Sequence, residues 1–229
     1  MGEHVSFAAN GGTCEGYLAI PASGRGPGVI VVQEWWGLVP HITDLADRFA
    51  AAGYVALAPD FFHGISTTEP DEAMRLLMSM AMDRAAQDLS GAAVYLGHRD
   101  EVTGPQVGAV GFCMGGSLAL WSATLAPTIA IAVGFYPAVP WQAMKPDWSG
   151  YAGKAAVIHC SEEDGTSSAE GIVAAVEGIS AAGGAVTVFD YPGTRHAFVN
   201  DTRPEVFDVA ASALAWDRTL AMLSARLSS

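Results

Sequence analysis

The segment Gly111-Phe112-Cys113-Met114-Gly115-Gly116, directly after the apolar run Gln106-Val107-Gly108-Ala109-Val110, constrains this chain more than any other. It reads as a buried strand that turns sharply into a helix, with a reactive side chain at the turn. Gly111 and Gly115 let strand and helix pack closely around a strained backbone, and Gly116 adds room. The apex side chain then stands clear of the sheet, beside the N–H groups that open a helix. Those groups favour a thiolate and a developing oxyanion alike. A free cysteine in a tight turn is otherwise only a small hydrophobe, so the weight of Cys113 depends on what the rest of the chain places around it.

The remaining pattern alternates strands with helices. Val5 to Ala9 and Glu15 to Ile20 read as strands joined across Asn10-Gly11-Gly12, a hairpin signal. Val29 to Val32 is a continuous β-branched run, typical of a strand buried on both faces. Tyr54 to Ala58, Val107 to Val110, Ile129 to Phe135, Ala155 to His159 and Ala185 to Tyr191 read likewise. Helical spacing covers His41 to Ala52, Pro70 to Met82, Arg84 to His98, Ser117 to Leu125, Ser168 to Ala182 and Glu205 to Leu227. Pro137 to Gly150 is the one long irregular stretch. This order predicts an α/β fold with a mostly parallel central sheet, right-handed crossovers and helices on its flanks. A length of 229 residues suits a single domain over 1–229.

Composition removes several function classes. The net charge of −13 leaves no basic surface to neutralise phosphates, so no nucleic-acid partner is expected. No apolar stretch is long enough to span a membrane, and the first residues lack the pattern of a secretory signal. Three cysteines (Cys14, Cys113 and Cys160) are too few for a disulfide framework and suit a reducing, cytoplasmic setting. The histidines show no metal-ligand spacing, so neither metal nor cofactor is expected. Cys14 and Cys160 read as structural bystanders. Asn200-Asp201-Thr202 and Met1-Gly2 with Ser6 fit short modification patterns that arise by chance.

A cysteine nucleophile needs a base, and the base needs a carboxylate to orient it. The turn at Cys113 resembles the G-x-S-x-G nucleophile elbow of α/β-hydrolases, with cysteine for serine, and in that fold the order is nucleophile, acid, histidine. After Cys113, the strand from Ala155 runs into Cys160-Ser161-Glu162-Glu163-Asp164-Gly165, and Asp164, immediately before Gly165, is the acid best placed at a turn. The last strand runs into Tyr191-Pro192-Gly193-Thr194-Arg195-His196, which places His196 on the loop before the terminal helix.

Nearly end to end, the chain resembles the dienelactone hydrolase family, α/β-hydrolases with a Cys-His-Asp triad. The residues that carry the resemblance are Gln33-Glu34-Trp35-Trp36-Gly37, Ala58-Pro59-Asp60, the glycine-rich turn at Cys113, Asp164, and His196-Ala197-Phe198. The resemblance implies the α/β-hydrolase fold and a buried Glu34 that hydrogen-bonds the resting thiol and takes its proton when substrate binds. It also implies an oxyanion hole made by the backbone N–H groups of Trp35 and Met114, and a pocket position for Tyr136. Trp36, with Trp35, Trp141 and Trp148, is expected to wall an apolar pocket. In the chlorocatechol-pathway members an arginine four positions after the catalytic histidine binds the substrate carboxylate. Here that position is Asn200, so neutral esters or lactones are expected to be favoured unless Arg75, Arg195 or Arg203 supplies the charge.

The combined reading is a cytoplasmic hydrolase that cleaves a small-molecule ester or lactone through a cysteine thioester, without cofactor or metal. Monomer and small homo-oligomer fit the sequence equally. Three other readings stay open: a promiscuous esterase or phosphotriesterase on the same scaffold, a thiol redox sensor or peroxidase using Cys113, and a ligand-binding protein on a hydrolase scaffold. The redox reading requires a resolving cysteine within reach.

Overall fold

Strands built wholly from apolar and small residues end up where both faces are covered. Gly26–Val32 (β3) and Ile129–Phe135 (β6) are buried along almost their whole length in the computed structural model, which describes residues 2–9 and 11–227. The other strands are Glu3–Ala9 (β1), Gly12–Ala19 (β2), Val55–Pro59 (β4), Val102–Phe112 (β5), Ala155–Glu163 (β7) and Ala185–Arg195 (β8). They form one eight-stranded sheet in the order β1-β2-β4-β3-β5-β6-β7-β8. From β4 to β8 neighbouring strands are parallel, whereas β2 pairs antiparallel with both β1 and β4. The predicted hairpin between β1 and β2 is present; Asn10 of its turn, and Met1, lie outside the described residues.

Helices cover both faces. Pro40–Ala51 (α1) and Val209–Leu227 (α7) pack on one side through Ile42, Leu45, Phe49, Ala215 and Leu223. Met82–Gly97 (α3), Met114–Leu125 (α4) and Ala169–Ala181 (α6) pack on the other through Leu89, Leu96, Leu118 and Ile179. Pro70–Ser79 (α2) and the single turn Trp141–Met144 (α5) complete the set. Residues Met114 to Ala123 of α4 are all buried. That helix therefore has no solvent face to pattern, and its start is held inside the protein. Among the described residues no helix is long and apolar enough to cross a membrane.

Several boundaries differ from the sequence reading, and three of them have a plain local reason. The stretch from Pro137 to Gly150 contains α5 and the start of a 3₁₀ turn, Trp148–Tyr151, capped by the Asp147 carboxylate. Strand β5 starts at Val102, which pairs with Gly26; the exposed residues Thr103 to Gln106 separate it from the apolar run and carry no alternation to reveal it. Helix α7 starts at Val209 because Asp208 accepts the Ala211 N–H (2.8 Å) and ends the turns before it.

Candidate active site

Five parallel strands deliver five side chains to one edge of the sheet. Cys113, Tyr136, Asp164 and His196 are each the first residue after β5, β6, β7 and β8, and Glu34 is the second after β3. The carboxyl ends of parallel strands are where open α/β sheets place their sites, and here adjacent strands supply adjacent groups.

The elbow forms because only small residues fit it. A Cβ on Gly111 would run into the Gly115 carbonyl, and one on Gly115 into the carbonyls of Val32 and Gln33. Cys113 itself is held at φ 55°, ψ −118°, a conformation that disfavours any side chain. Two neighbours share that strain: Tyr136 at φ 38° and Ala197 at φ 67°. Cys113, Tyr136 and Ala197, the residue after His196, are thus all non-glycine residues in the left-handed region. The Met114 N–H hydrogen-bonds the Cys113 sulfur. Burial, and next the nearby Glu34 carboxylate, push the thiol pKa up, so the resting group is a neutral thiol.

Asp164 is a heavily satisfied carboxylate. Its Oδ2 accepts from His196 Nδ1 (2.8 Å) and Ser161 Oγ (2.6 Å). Its Oδ1 accepts from Thr166 N (2.9 Å), Thr166 Oγ1 (2.6 Å) and Ser167 N (3.0 Å). Burial works against its charge, but the hydrogen bonds from His196, Ser161 and Thr166 outweigh burial and hold the carboxyl well below the usual range. Thr166 Oγ1 also lies 2.7 Å from His196 Nδ1. Because the Thr166 hydroxyl proton goes to Asp164, its oxygen accepts from the imidazole. Two acceptors therefore face Nδ1, which places the ring proton there and leaves the Nε2 lone pair as the basic site. Ser161 and Thr166 were missed in the sequence; the Asp-x-Thr spacing of an Asx turn was the available signal.

Glu34 is buried, with 2% exposure. Its Oε2 accepts from Asn200 Nδ2 at 2.9 Å, while Oε1 is buried without a hydrogen bond among the described residues. Burial raises its pKa against the lowering effects of His196 and Asn200. Asn200 is itself 2% exposed, and its Oδ1 accepts from Thr202 N (3.1 Å) and Oγ1 (2.6 Å). The sequence placed Asn200 at a substrate-binding position. In the structure both ends of its amide are engaged, one of them on Glu34, and the glycosylation pattern it belongs to is inaccessible.

Tyr136 is fully buried with an unpartnered hydroxyl, and its ring packs edge-on against His196 (4.9 Å between centroids). Burial, then the charges of Glu34, Cys113 and Asp164, keep its phenol protonated. A cavity of about 410 Å³ reaches Thr166, the residue that bridges Asp164 and His196, and is lined by Pro137, Trp141, Trp148, Glu170 and Ile172 among others; Cys113 and His196 do not line it. Trp36 and Trp35 stack edge-on (5.0 Å), and the Trp36 carbonyl holds the loop at Thr67. Arg75 lines a separate surface hollow with Glu72 and Met78. Arg195 reaches the Glu205 carbonyl (3.4 Å) and Arg203 the Glu205 carboxylate (2.9 Å). Of the three arginines, Arg203 is the one whose charge is felt at Glu34, Cys113 and Tyr136. Cys14 and Cys160 belong to the core on the α3 side of the sheet, whereas Cys113 packs against the core on the α1 side. Neither is placed as a resolving thiol.

The chain is similar to known proteins over almost its whole length. The model of the dienelactone hydrolase family matches residues 14–227. A protein of Aquifex pyrophilus called protein usf is 35% identical over 228 residues, covering 96% of this chain and 97% of its own. A putative carboxymethylenebutenolidase of Aquifex aeolicus is 30% identical over 226 residues, covering 95% of each. The crystal structure of a putative dienelactone hydrolase from Klebsiella pneumoniae superposes with a TM-score of 0.85 at 24% identity, covering 98% of both chains. The chain belongs to the dienelactone hydrolase family, carboxylic-ester hydrolases built on the α/β-hydrolase fold.

Proposed function

We propose that this hydrolase cleaves neutral esters or lactones through a thioester on Cys113. Glu34 Oε1, the carboxylate oxygen left without a partner, takes the thiol proton. Cys113 Sγ then bonds to the substrate carbonyl carbon, whose oxygen becomes an anion held by the Met114 and Trp35 N–H groups. Such donors are typically worth about 3 kcal/mol of barrier each. Collapse breaks the C–O bond, and the alkoxide leaves with the proton that Glu34 took; in a lactone it stays tethered as the hydroxyl end of the acyl chain. Water, losing a proton to His196 Nε2, attacks the thioester, and the sulfur leaves with that proton from His196 to restore the thiol.

The observation that carries this reading is the fixed tautomer of His196. Asp164 and Thr166 together force the proton onto Nδ1 and free Nε2 for water. A binding module or a peroxidase gains nothing from that arrangement. The preference for uncharged substrates rests on Asn200 being engaged by Glu34 and on the cavity at Thr166, whose lining carries Trp141, Trp148, three prolines and Glu170 but no arginine or lysine. A free carboxylate entering there loses hydration that no cation replaces, which costs at least about 1.5–3 kcal/mol.

Quenched turnover of p-nitrophenyl acetate followed by mass spectrometry tests the mechanism: the acyl group is expected on Cys113. An acyl group on Cys14, Cys160 or any serine overturns the assignment. A kcat/KM for dienelactone well above that for neutral short-chain esters overturns the substrate preference.

A further inference from the structure

A second cluster of nucleophilic and titratable groups lies apart from the catalytic centre. Cys14 sits on β2, His63 in the turn after β4, and Asp88 on α3. Cys14 Sγ, His63 Nε2 and Asp88 Oδ2 all lie within 4.8 Å of one another, and the last two are 3.1 Å apart. Cys14 and Asp88 have no exposed surface, and the His63 side chain is 22% exposed. The backbone is bent to make this convergence. His63 is held at φ 52° and followed by Gly64 at φ 91°. The Asp60 carboxylate pins the bend by accepting the N–H groups of Phe62 (3.0 Å) and Gly64 (2.6 Å). A left-handed non-glycine residue costs of order 1–3 kcal/mol and persists where a site requires it. Three of the five such residues belong to the catalytic centre, and His63 is a fourth.

We propose that Cys14, His63 and Asp88 bind a thiophilic divalent cation of the zinc class, as thiolate, imidazole and carboxylate ligands. Usual bond lengths in a tetrahedral site separate ligand atoms by about 3.3–3.6 Å. An ion therefore draws the sulfur inward and eases the nitrogen and oxygen slightly apart. The thiolate and carboxylate supply two negative charges against the cation's two positive ones, and the thiolate selects zinc or cobalt over magnesium and calcium. Binding exchanges a proton for the metal: the S–H bond breaks, an S–metal bond forms, and the proton leaves to solvent. His63 keeps its proton on Nδ1 and gives the Nε2 lone pair. Without metal, burial and the neighbouring Asp88 and Asp60 push the Cys14 thiol up to about 12, so it rests as a thiol against the Glu15 carbonyl (3.3 Å). A cavity of about 230 Å³ lined by Phe61, His63, Met80 and Arg84 opens beside the imidazole, and it gives entry and room for water as fourth ligand. The ion would tie β2, the turn after β4 and α3 together.

Titration of the chelator-treated full-length protein with Co²⁺ tests the site. One equivalent is expected to give a thiolate-to-cobalt charge-transfer band with ligand-field bands in the visible. Zn²⁺ at a hundredfold excess over its Kd is expected to raise Tm by about 5–10 °C. The cobalt bands persist in Cys113→Ala and Cys160→Ala and vanish in Cys14→Ala, which keeps its ester hydrolysis. His63→Gln, which leaves the thiol in the core, also loses them and keeps the test decisive if Cys14→Ala folds poorly. No band in the unmodified protein, or a band that follows Cys113, overturns the proposal and leaves a buried His63–Asp88 contact beside a neutral thiol.

Discussion

The chain places the same three residue types together twice, at Cys113/His196/Asp164 and at Cys14/His63/Asp88, and the two groups differ in almost everything else. Cys113 stands at a helix start beside β5 with a backbone N–H on its sulfur. Cys14 is inside strand β2, paired to Phe7 across the hairpin, three strands away from β5 in the sheet. His196 has two acceptors on Nδ1 and an open Nε2. In the other group Nε2 itself lies buried against the carboxylate (3.1 Å), turned towards Asp88 and Cys14 and away from any substrate. Asp164 accepts five hydrogen bonds that hold it charged. Residue identity does not make a triad. A nucleophilic site needs an exposed apex, a histidine whose proton is held on the far nitrogen, and donors for the oxyanion. A buried convergence of the same side chains suits an ion.

The largest expected effect breaks the comparison directly. Cys113→Ala should lower kcat/KM for p-nitrophenyl acetate by about 10⁴-fold or more, while Cys14→Ala should change it less than about twofold. Equal losses in the two variants would erase the distinction between the groups. Next comes the orienting shell. Asp164→Asn should lower kcat by about 10³–10⁴-fold, because an amide tolerates the wrong imidazole tautomer. Thr166→Val keeps the carboxylate and removes one of the two acceptors on Nδ1, so a loss nearer tenfold is expected. Steady-state kinetics at saturating substrate separates both from binding defects.

The strand-end placement of Cys113, Asp164 and His196 was legible in sequence because there apolar periodicity stops and a turn signal begins. Cys113 between glycines, Asp164 before Gly165 and His196 after a β-rich run all carried that signature. Asn200, Ser161 and Thr166 were not assigned their roles, since a side chain that hydrogen-bonds another side chain leaves no periodicity. The link from Asn200 to Glu34 spans 166 positions. The grouping of Cys14, His63 and Asp88 was invisible for the same reason: its members come from a strand, a turn and a helix face, with no ligand spacing along the chain. The extra strand residues at Glu163 and Arg195 were hidden because an exposed pair carries no apolar alternation, and Val102 because four exposed residues separate it from the apolar run.

A smaller effect sharpens the role of Glu34. Glu34→Gln should slow acylation by about 10²–10³-fold in rapid mixing, since the amide fills the space but accepts no proton. Retained acylation would make Glu34 structural. The carboxylate is the active form, so kcat/KM rises with pH as Glu34 loses its proton, and burial places that limb above the usual carboxylate range. The Asn200 amide donates to the charged form and holds the pKa down. Asn200→Leu should therefore move the acidic limb upward by about one pH unit, and Asn200→Arg should move it downward while favouring carboxylate-bearing substrates. A pH–rate profile unchanged in both variants would detach Asn200 from Glu34.

The smallest effect reverses the two cysteines. At φ 55°, ψ −118°, Cys113 occupies a region that glycine reaches freely and other residues reach only under strain of about 1–3 kcal/mol. Cys113→Gly removes that strain, loses little burial because the residue is partly exposed, and gains about 0.5–1 kcal/mol of unfolded-state entropy against it. A net stabilisation of about 1 kcal/mol is expected, a rise in Tm of about 2–4 °C for a chain of this size. At Cys14, in a strand interior with no exposed surface, the same change removes a buried side chain and loosens the strand, so a loss of about 2 kcal/mol is expected. Opposite signs in thermal unfolding would show that the enzyme holds its nucleophile at the expense of stability and its second cysteine in support of it. A Cys113→Gly variant less stable than the native chain would mean that the elbow conformation is unstrained and that the left-handed backbone at the site carries no stored energy.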